Sequence, residues 1–328
     1  NTRLNPYRRA MHIPDGFLDA KTALATAVIS TAGVGFALRQ VRHELPPRRV
    51  PLLGLSAAFL FAAQMVNFPV AGGTSGHLVG AALVAALLGP SAAVVVLATV
   101  LIVQCFLFAD GGVLALGANI FNMGLVATIV GYTVYCLAQR ILPGARGRVA
   151  ALAFAGWCSA VFASVSCAGE LAWSGTVPWS VALPAMAGVH MLIGIGEGLI
   201  SALVLVAVAR TRPDLLTARN AGMPPGRLRG FVVLGLLTTL GIALFVAPFA
   251  CPWPDGLEAV ADHLGFGGRI RPPIISAPVA NYRIPGLASP VLATAAAGAI
   301  GALVAFGLAV AFSRLLVREP ANPKASRA

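Results

Sequence analysis

Charge is the scarcest property of this 328-residue chain: only 10% of its residues are Asp, Glu, Lys or Arg, against about 25% in an ordinary soluble domain. So few polar side chains cannot cover a water-facing globule. With 58% hydrophobic residues the chain is neither disordered nor soluble, and it belongs in a bilayer. Lysine is rarer still. Lys21 follows Ala20 and Lys324 follows Pro323, so neither completes a GK[ST] phosphate loop, and ATP-driven work would need a partner subunit. The five cysteines (Cys105, Cys136, Cys158, Cys167, Cys251) form no CxxC or CxxxC pair and read as small buried hydrophobes.

Long apolar runs fill the rest. They lie near 20–40, 51–67, 77–89, 91–108, 118–139, 149–172, 185–209, 230–248 and 289–313. The third is short and stops at Gly89-Pro90, which predicts a half-helix or a re-entrant piece packed inside the bundle. The fold class is an all-α integral membrane bundle, seven spans followed by two. Its divisions are an N-terminal extension at 1–10, a first component at 11–209, a cytoplasmic linker at 210–229, an accessory part at 230–313 and a cytoplasmic tail at 314–328. The outer loop of the accessory part, 249–288, is rich in Pro and Gly.

The formal net charge of +12 suggests an acidic partner until it is sorted by loop. Of 23 positive residues, 16 fall on one side: Arg39, Arg42, Arg48, Arg49, Arg140, Arg146, Arg148, Arg210, Arg212, Arg219, Arg227, Arg229, Arg314, Arg318, Lys324 and Arg327. The positive-inside rule then predicts a multi-pass protein of the cell membrane with its N-terminus outside and C-terminus in the cytoplasm. Lipid is the expected partner and nucleic acid is not. Arg3, Arg8 and Arg9 offend the rule, and all precede Met11.

Histidine is the next scarce resource. His43 reads as solvated, and His263 as a helical surface residue. His12, His77 and His190 each fall at an outer mouth. In Met11-His12-Ile13-Pro14-Asp15-Gly16, a free Met11 amine with the His12 amide and imidazole would chelate a metal through fused rings. A fourth nitrogen would complete a planar site suited to Ni(II) or Cu(II), and Asp15 is near enough to orient a ligand. On spacing alone, a polar N-terminal tail is the stronger reading. His77 ends the Gly-rich loop Gly72-Gly73-Thr74-Ser75-Gly76-His77, either exposed or pointing back into a pocket. His190 and Glu197 lie two turns apart on one helix face, as a functional pair or as structural hydrogen-bonding groups. Asp110-Gly111-Gly112 opens another Gly-rich turn, after which Asn119 either bonds a ligand imidazole or caps a helix.

Together, Met-His-Ile-Pro-Asp-Gly at 11–16, Gly-Thr-Ser-Gly-His at 73–77, Asp-Gly-Gly with Leu-Gly-Ala-Asn and Asn-Met-Gly at 110–124, and His-x-x-Ile-Gly-x-Gly-Glu at 190–197 resemble the CbiM/NikM family. These are the substrate-binding membrane components of cobalt and nickel energy-coupling-factor transporters, which also serve cobalamin biosynthesis. The resemblance covers about 11–209. Pro254-Asp255-Gly256-Leu257-Glu258, between two spans, resembles the small PDGLE/NikN-type accessory protein, so the chain looks like a fused polypeptide.

The resemblance implies a metal site made of the Met11 amine, the His12 amide and imidazole, and His77, with Asp15, Thr74, Ser75, Asn119, His190 and Glu197 as candidates around the pocket. It implies Co(II) or Ni(II) as transported substrate, no cofactor, and no enzymatic activity. It also implies partner ATPase subunits with a transmembrane coupling protein, for which Ala23/Ala27 and Gly33/Ala37 on the first span offer a docking face. The accessory loop is expected against the pocket. With residues 1–10 attached, Met11 has only a peptide nitrogen, so the working chain is expected to begin at Met11. The rival is a self-contained secondary metal transporter, with Glu170 and Glu197 as its ion carriers.

Overall fold

The computed structural model describes residues 11–213 and 225–316. The N-terminal decapeptide with Arg3, Arg8 and Arg9, the stretch 214–224 with Arg219, and residues 317–328 with Arg318, Lys324 and Arg327 lie outside the described residues.

Every apolar run is helical. In chain order the helices are α1 (Ala20–Glu44), α2 (Val50–Gln64), α3 (Ala81–Leu88), α4 (Pro90–Phe108), α5 (Leu116–Ile141), α6 (Gly144–Trp173), α7 (Trp179–Thr211), α8 (Pro225–Phe245), the short α9 (Gly256–His263) and α10 (Pro290–Leu316). Among the described residues seven helices are long and apolar enough to cross a membrane: α1, α4, α5, α6, α7, α8 and α10. The second and third runs fall short of that length. α3 has eight residues, about 12 Å at 1.5 Å per residue, less than half a bilayer core. Its length is set by Gly89, at φ 94°, and Pro90, which starts α4 where no N–H is needed. The half-helix expected from the sequence is therefore present, and its first five residues are buried.

The outer surface is oily, as lipid contact requires: Leu24, Phe36, Leu203, Phe245 and Leu315 are all more than half exposed. Small residues set the inner contacts. Gly117 of α5 lies on Ala27 of α1, and the Ser30 hydroxyl donates to the Gly117 carbonyl at 2.7 Å. Gly33 lies on Leu125, and Ala37 is buried. The docking face expected on α1 for a coupling protein is thus occupied inside this chain, because these small residues let α5 approach. The side α1 leaves open carries Leu24, Val28 and Phe36 instead. The C-terminal helix belongs to the same bundle: Gly301 of α10 lies against Phe61 of α2 and Phe108 of α4, and Gly54 of α2 lies against Phe306 and Val310. No disulfide forms among the described residues, and Cys105, Cys158 and Cys167 are buried as read from the sequence.

A small antiparallel hairpin joins α2 to α3. Its strands β1 (Phe68–Val70) and β2 (Thr74–Gly76) pair Phe68 with Gly76 and Val70 with Thr74. α5 opens into a π-turn over Ile120–Val126, and α7 runs through Pro184 unbroken. By connectivity, the hairpin, the 109–115 turn, the segment before α1 and the 246–289 loop share one end of the bundle. The described arginines at the α1–α2, α5–α6 and α7–α8 connections share the other.

Candidate metal-binding site

The segment before α1 is buried at the loop end, although it is not regular structure. Asp15 holds it there: its carboxylate accepts from the main-chain nitrogens of Val113, Leu114 and Ala115 at 3.2, 2.9 and 3.3 Å. Gly112 N donates to the Ile13 carbonyl at 2.9 Å. Asn119 grips Ile13 at both main-chain polar atoms. The two sequence expectations here need correcting. Asp15 makes no direct bond to an imidazole, because its oxygens are taken by the 113–115 turn, and Asn119 bonds the Ile13 backbone and not an imidazole. Both fix the path of the chain that carries His12.

His12 is 2% exposed and meets His77 edge-on, with ring centroids 5.7 Å apart at 66°. Two imidazoles sharing one metal at about 2.0–2.1 Å per Zn–N-type bond would place their centroids roughly 4.5–6.4 Å apart, the limits being cis and trans. The observed spacing falls inside that interval. His12 Nδ1 lies 3.0 Å from Asp110 Oδ1, at ion-pair distance, and Nε2 has no hydrogen-bond partner. A buried ring nitrogen is rarely left so. Met11 N donates to the same Asp110 Oδ1 at 2.7 Å. Burial, with a smaller contribution from His12, pushes His77 down to about 3, so its imidazole is neutral and able to ligate near pH 7. Burial pushes Asp110 up, but His12 and the Tyr282 hydroxyl outweigh it and hold the carboxyl below its usual range.

His77 is placed by Glu197 of α7. Its two carboxylate oxygens accept from Val79 N and Gly80 N at 2.6 and 2.8 Å, where the chain turns from the hairpin into α3. Glu197 therefore pins the loop and does not line the cavity. His190 does line it, two turns away, with Nδ1 on the Met186 carbonyl at 2.8 Å. Glu170, the other carboxylate a secondary transporter would use, accepts from Asn122 Nδ2 at 2.8 Å.

A cavity of about 80 Å³ opens among Met11, His12, His77, Asn122, His190 and Asp255. Asn119, Gly256 and Leu257 also border it, whereas Asp15, Thr74, Ser75, Glu197, Pro254 and Glu258 do not. Thr74 and Ser75 instead build the hairpin and its partner contact. Ser75 N donates to the Pro254 carbonyl at 2.8 Å, and Ser75 Oγ to the Trp253 carbonyl at 2.8 Å. Gly256 sits so close to His190 that a Cβ would stand 2.7 Å from its ring. Asp255 caps α9 by accepting from Glu258 N at 2.7 Å, and burial pushes it up to about 7.

The rest of the accessory loop circles the mouth: Cys251 N bonds Asn67 O at 2.9 Å, Arg271 N bonds Asp15 O at 2.8 Å, and Val279 N bonds Leu107 O at 3.0 Å. His43, in the last turn of α1, and His263, closing α9, are exposed and away from the site, as expected.

Side chains alone offer two close imidazoles here. Among the described residues no group of three His, Cys, Asp or Glu gathers as a metal cluster. Asp110 and Tyr282 were not singled out as site residues from the sequence. Asp110 carries a local signal, a carboxylate closing an apolar run before Gly-Gly. Tyr282 carries none.

Comparison with known proteins gives the family and the fold. The family model described as "Cobalt uptake substrate-specific transmembrane region" matches residues 12–215, and the PDGLE domain model matches residues 229–318. A relative from Archaeoglobus fulgidus that carries the NikMN name is 37% identical over 306 residues, 93% of this chain and 98% of its own. The "Fused nickel transport protein NikMN" of Rhodobacter capsulatus is 35% identical over 246 residues, 70% of this chain and 71% of its own. A crystal structure described as a truncated transition metal transporter superposes with a TM-score of 0.56 at 33% identity, covering 61% of this chain and 98% of that one.

Proposed function

The chain belongs to the CbiM family of cobalt-uptake substrate-specific transmembrane proteins, with a PDGLE domain in the same polypeptide, and on that premise we propose that it binds Co(II) or Ni(II) in the His12–His77 cavity and delivers the ion across the membrane. The observation that carries this reading is the meeting of two buried imidazoles, His12 and His77, at a cavity that Met11 also lines, with His12 Nε2 lacking a hydrogen-bond partner. The ligands are the main-chain nitrogens of Met11 and His12 and the imidazoles of His12 and His77. Met11 N serves best as a free amine, since a peptide nitrogen ligates only after losing its proton.

The cavity faces outward. This orientation rests on the arginines at the opposite end of the bundle and the positive-inside rule. The chain works as a transport component, and with no P-loop in its sequence it leaves ATP hydrolysis to separate subunits. ATPase subunits and a transmembrane coupling protein supply the energy, and a docking face for them lies elsewhere than the small residues of α1. The secondary-transporter alternative is weaker, because Glu197 is held at both oxygens by Val79 N and Gly80 N, which leaves it Glu170 alone, bound at one oxygen by Asn122. Metal uptake in membrane vesicles tests the reading. It should require ATP and the partner subunits and should fail in His77→Ala, whereas ATP-independent uptake would overturn the coupling.

A further inference from the structure

Asp110 joins the accessory loop to the proposed ligands. Its Oδ1 faces Met11 N at 2.7 Å and His12 Nδ1 at 3.0 Å, and its Oδ2 accepts from the Tyr282 hydroxyl at 2.5 Å. The Tyr282 ring is stacked on Phe108 at 4.7 Å and 18°, and the Gln104 side chain faces the same hydroxyl. Backbone conformation marks the place independently. Among the described residues three non-glycine residues have positive φ: Ala109, Asn281 and Tyr282, at 54°, 55° and 56°. All three flank or form this one contact. Left-handed backbone is costly for side-chain-bearing residues and persists where the surroundings over-determine it, typically at functional sites.

Resting on the metal-site reading above, we propose that Tyr282 is a positioning residue. Its hydroxyl holds Asp110 in the orientation that gathers Met11 N and His12 Nδ1 on one side of the cavity, so the accessory part sets the geometry of the metal site through a single hydrogen bond. A carboxylate fixed at one oxygen presents the other in a defined direction, both to the ligand nitrogens and to the incoming divalent ion. Freed of Tyr282, the carboxylate rotates, and the ligand set loses its pre-formed shape. The part that recruits metal and the part that binds it are then coupled in the resting protein.

The test measures Ni(II) dissociation from the chain beginning at Met11, with the absorption spectrum of bound Ni(II) as a second readout, in wild type, Tyr282→Phe, Asp110→Asn and the double variant. Tyr282→Phe keeps the ring stacked on Phe108 and removes only the hydroxyl. It should release Ni(II) about tenfold faster and shift the ligand-field bands, with thermal unfolding close to wild type. If Tyr282 acts through Asp110, the double variant should be no worse than Asp110→Asn. Wild-type rate and spectrum in Tyr282→Phe, or additive effects in the double variant, would overturn this inference while leaving the metal site standing. Wild type that binds neither Ni(II) nor Co(II) would overturn both.

Discussion

Asn119 and Ile13 pair like neighbouring strands: Ile13 N donates to Asn119 Oδ1 at 2.9 Å, and Asn119 Nδ2 donates to the Ile13 carbonyl at 3.1 Å. One side chain on a membrane helix thereby does for an irregular segment what a sheet would do, one residue beyond His12. Asn119→Leu keeps similar bulk and leaves the buried Ile13 N–H unpaired, at about 1–3 kcal/mol, while the Ile13 carbonyl keeps Gly112 N as its donor. We expect a clearly lower unfolding temperature and at least about tenfold weaker Ni(II) binding, by thermal unfolding and metal titration in detergent. Unchanged Ni(II) affinity would show that His12 does not depend on this clamp.

Glu197 should act on affinity without touching metal. Glu197→Ala removes the acceptor for both Val79 N and Gly80 N, and Glu197→Gln restores one of the two. The expected order of Ni(II) affinity is wild type, then Gln, then Ala. Hydrogen exchange at residues 77–80 should rise in the same order. Equal exchange in all three proteins would remove Glu197 from any role in placing His77.

The helices were legible because nine apolar runs have no soluble explanation, and Gly89-Pro90 announces where α3 stops. His12, His77 and His190 stood out by scarcity at the mouths of those helices. Their supports did not. Asp15 and Asn119 were seen, but the backbone groups they bind come from segments about 100 residues away, and only packing decides between an imidazole and a main-chain amide. The small residues of α1 read as a docking face because a pattern that permits close approach does not name the helix that approaches. Tyr282 was invisible, since its partner Asp110 lies 172 residues earlier.

Gly16 seats the accessory loop on the N-terminal segment. Its φ is 102°, and a Cβ would stand 2.1 Å from the Arg269 carbonyl oxygen. Gly16→Ala combines left-handed strain with a backbone clash, so the loop must lift and lose the Arg271 N–Asp15 O bond. Limited proteolysis should cut near 269–271 faster in this variant than in wild type. Equal cleavage would show that the loop is held elsewhere.

Asp255 gives a pH signature. Burial raises its folded value to about 7 from 3.8, with Asp110 adding to the rise and His12 opposing it. A raised carboxyl favours the protonated fold, so its stabilising contribution is full below pH 3.8 and is lost as pH rises through 7. Asp255→Asn keeps a capping side chain on α9 without the charge. In metal-free protein the variant should be more stable than wild type at pH 8, with the gap narrowing by pH 5. A gap that is constant with pH would contradict the burial of an ionisable Asp255.

The most direct measurement of the central claim is a Ni(II) titration of protein that starts at Met11, beside the same protein carrying His77→Ala. One Ni(II) per chain is expected, with the absorption of a four-nitrogen planar site and tighter binding than residues 1–328 give. In His77→Ala both the affinity and that spectrum should be lost. Undiminished binding with an unchanged spectrum in His77→Ala would contradict the His12–His77 cavity as the metal site.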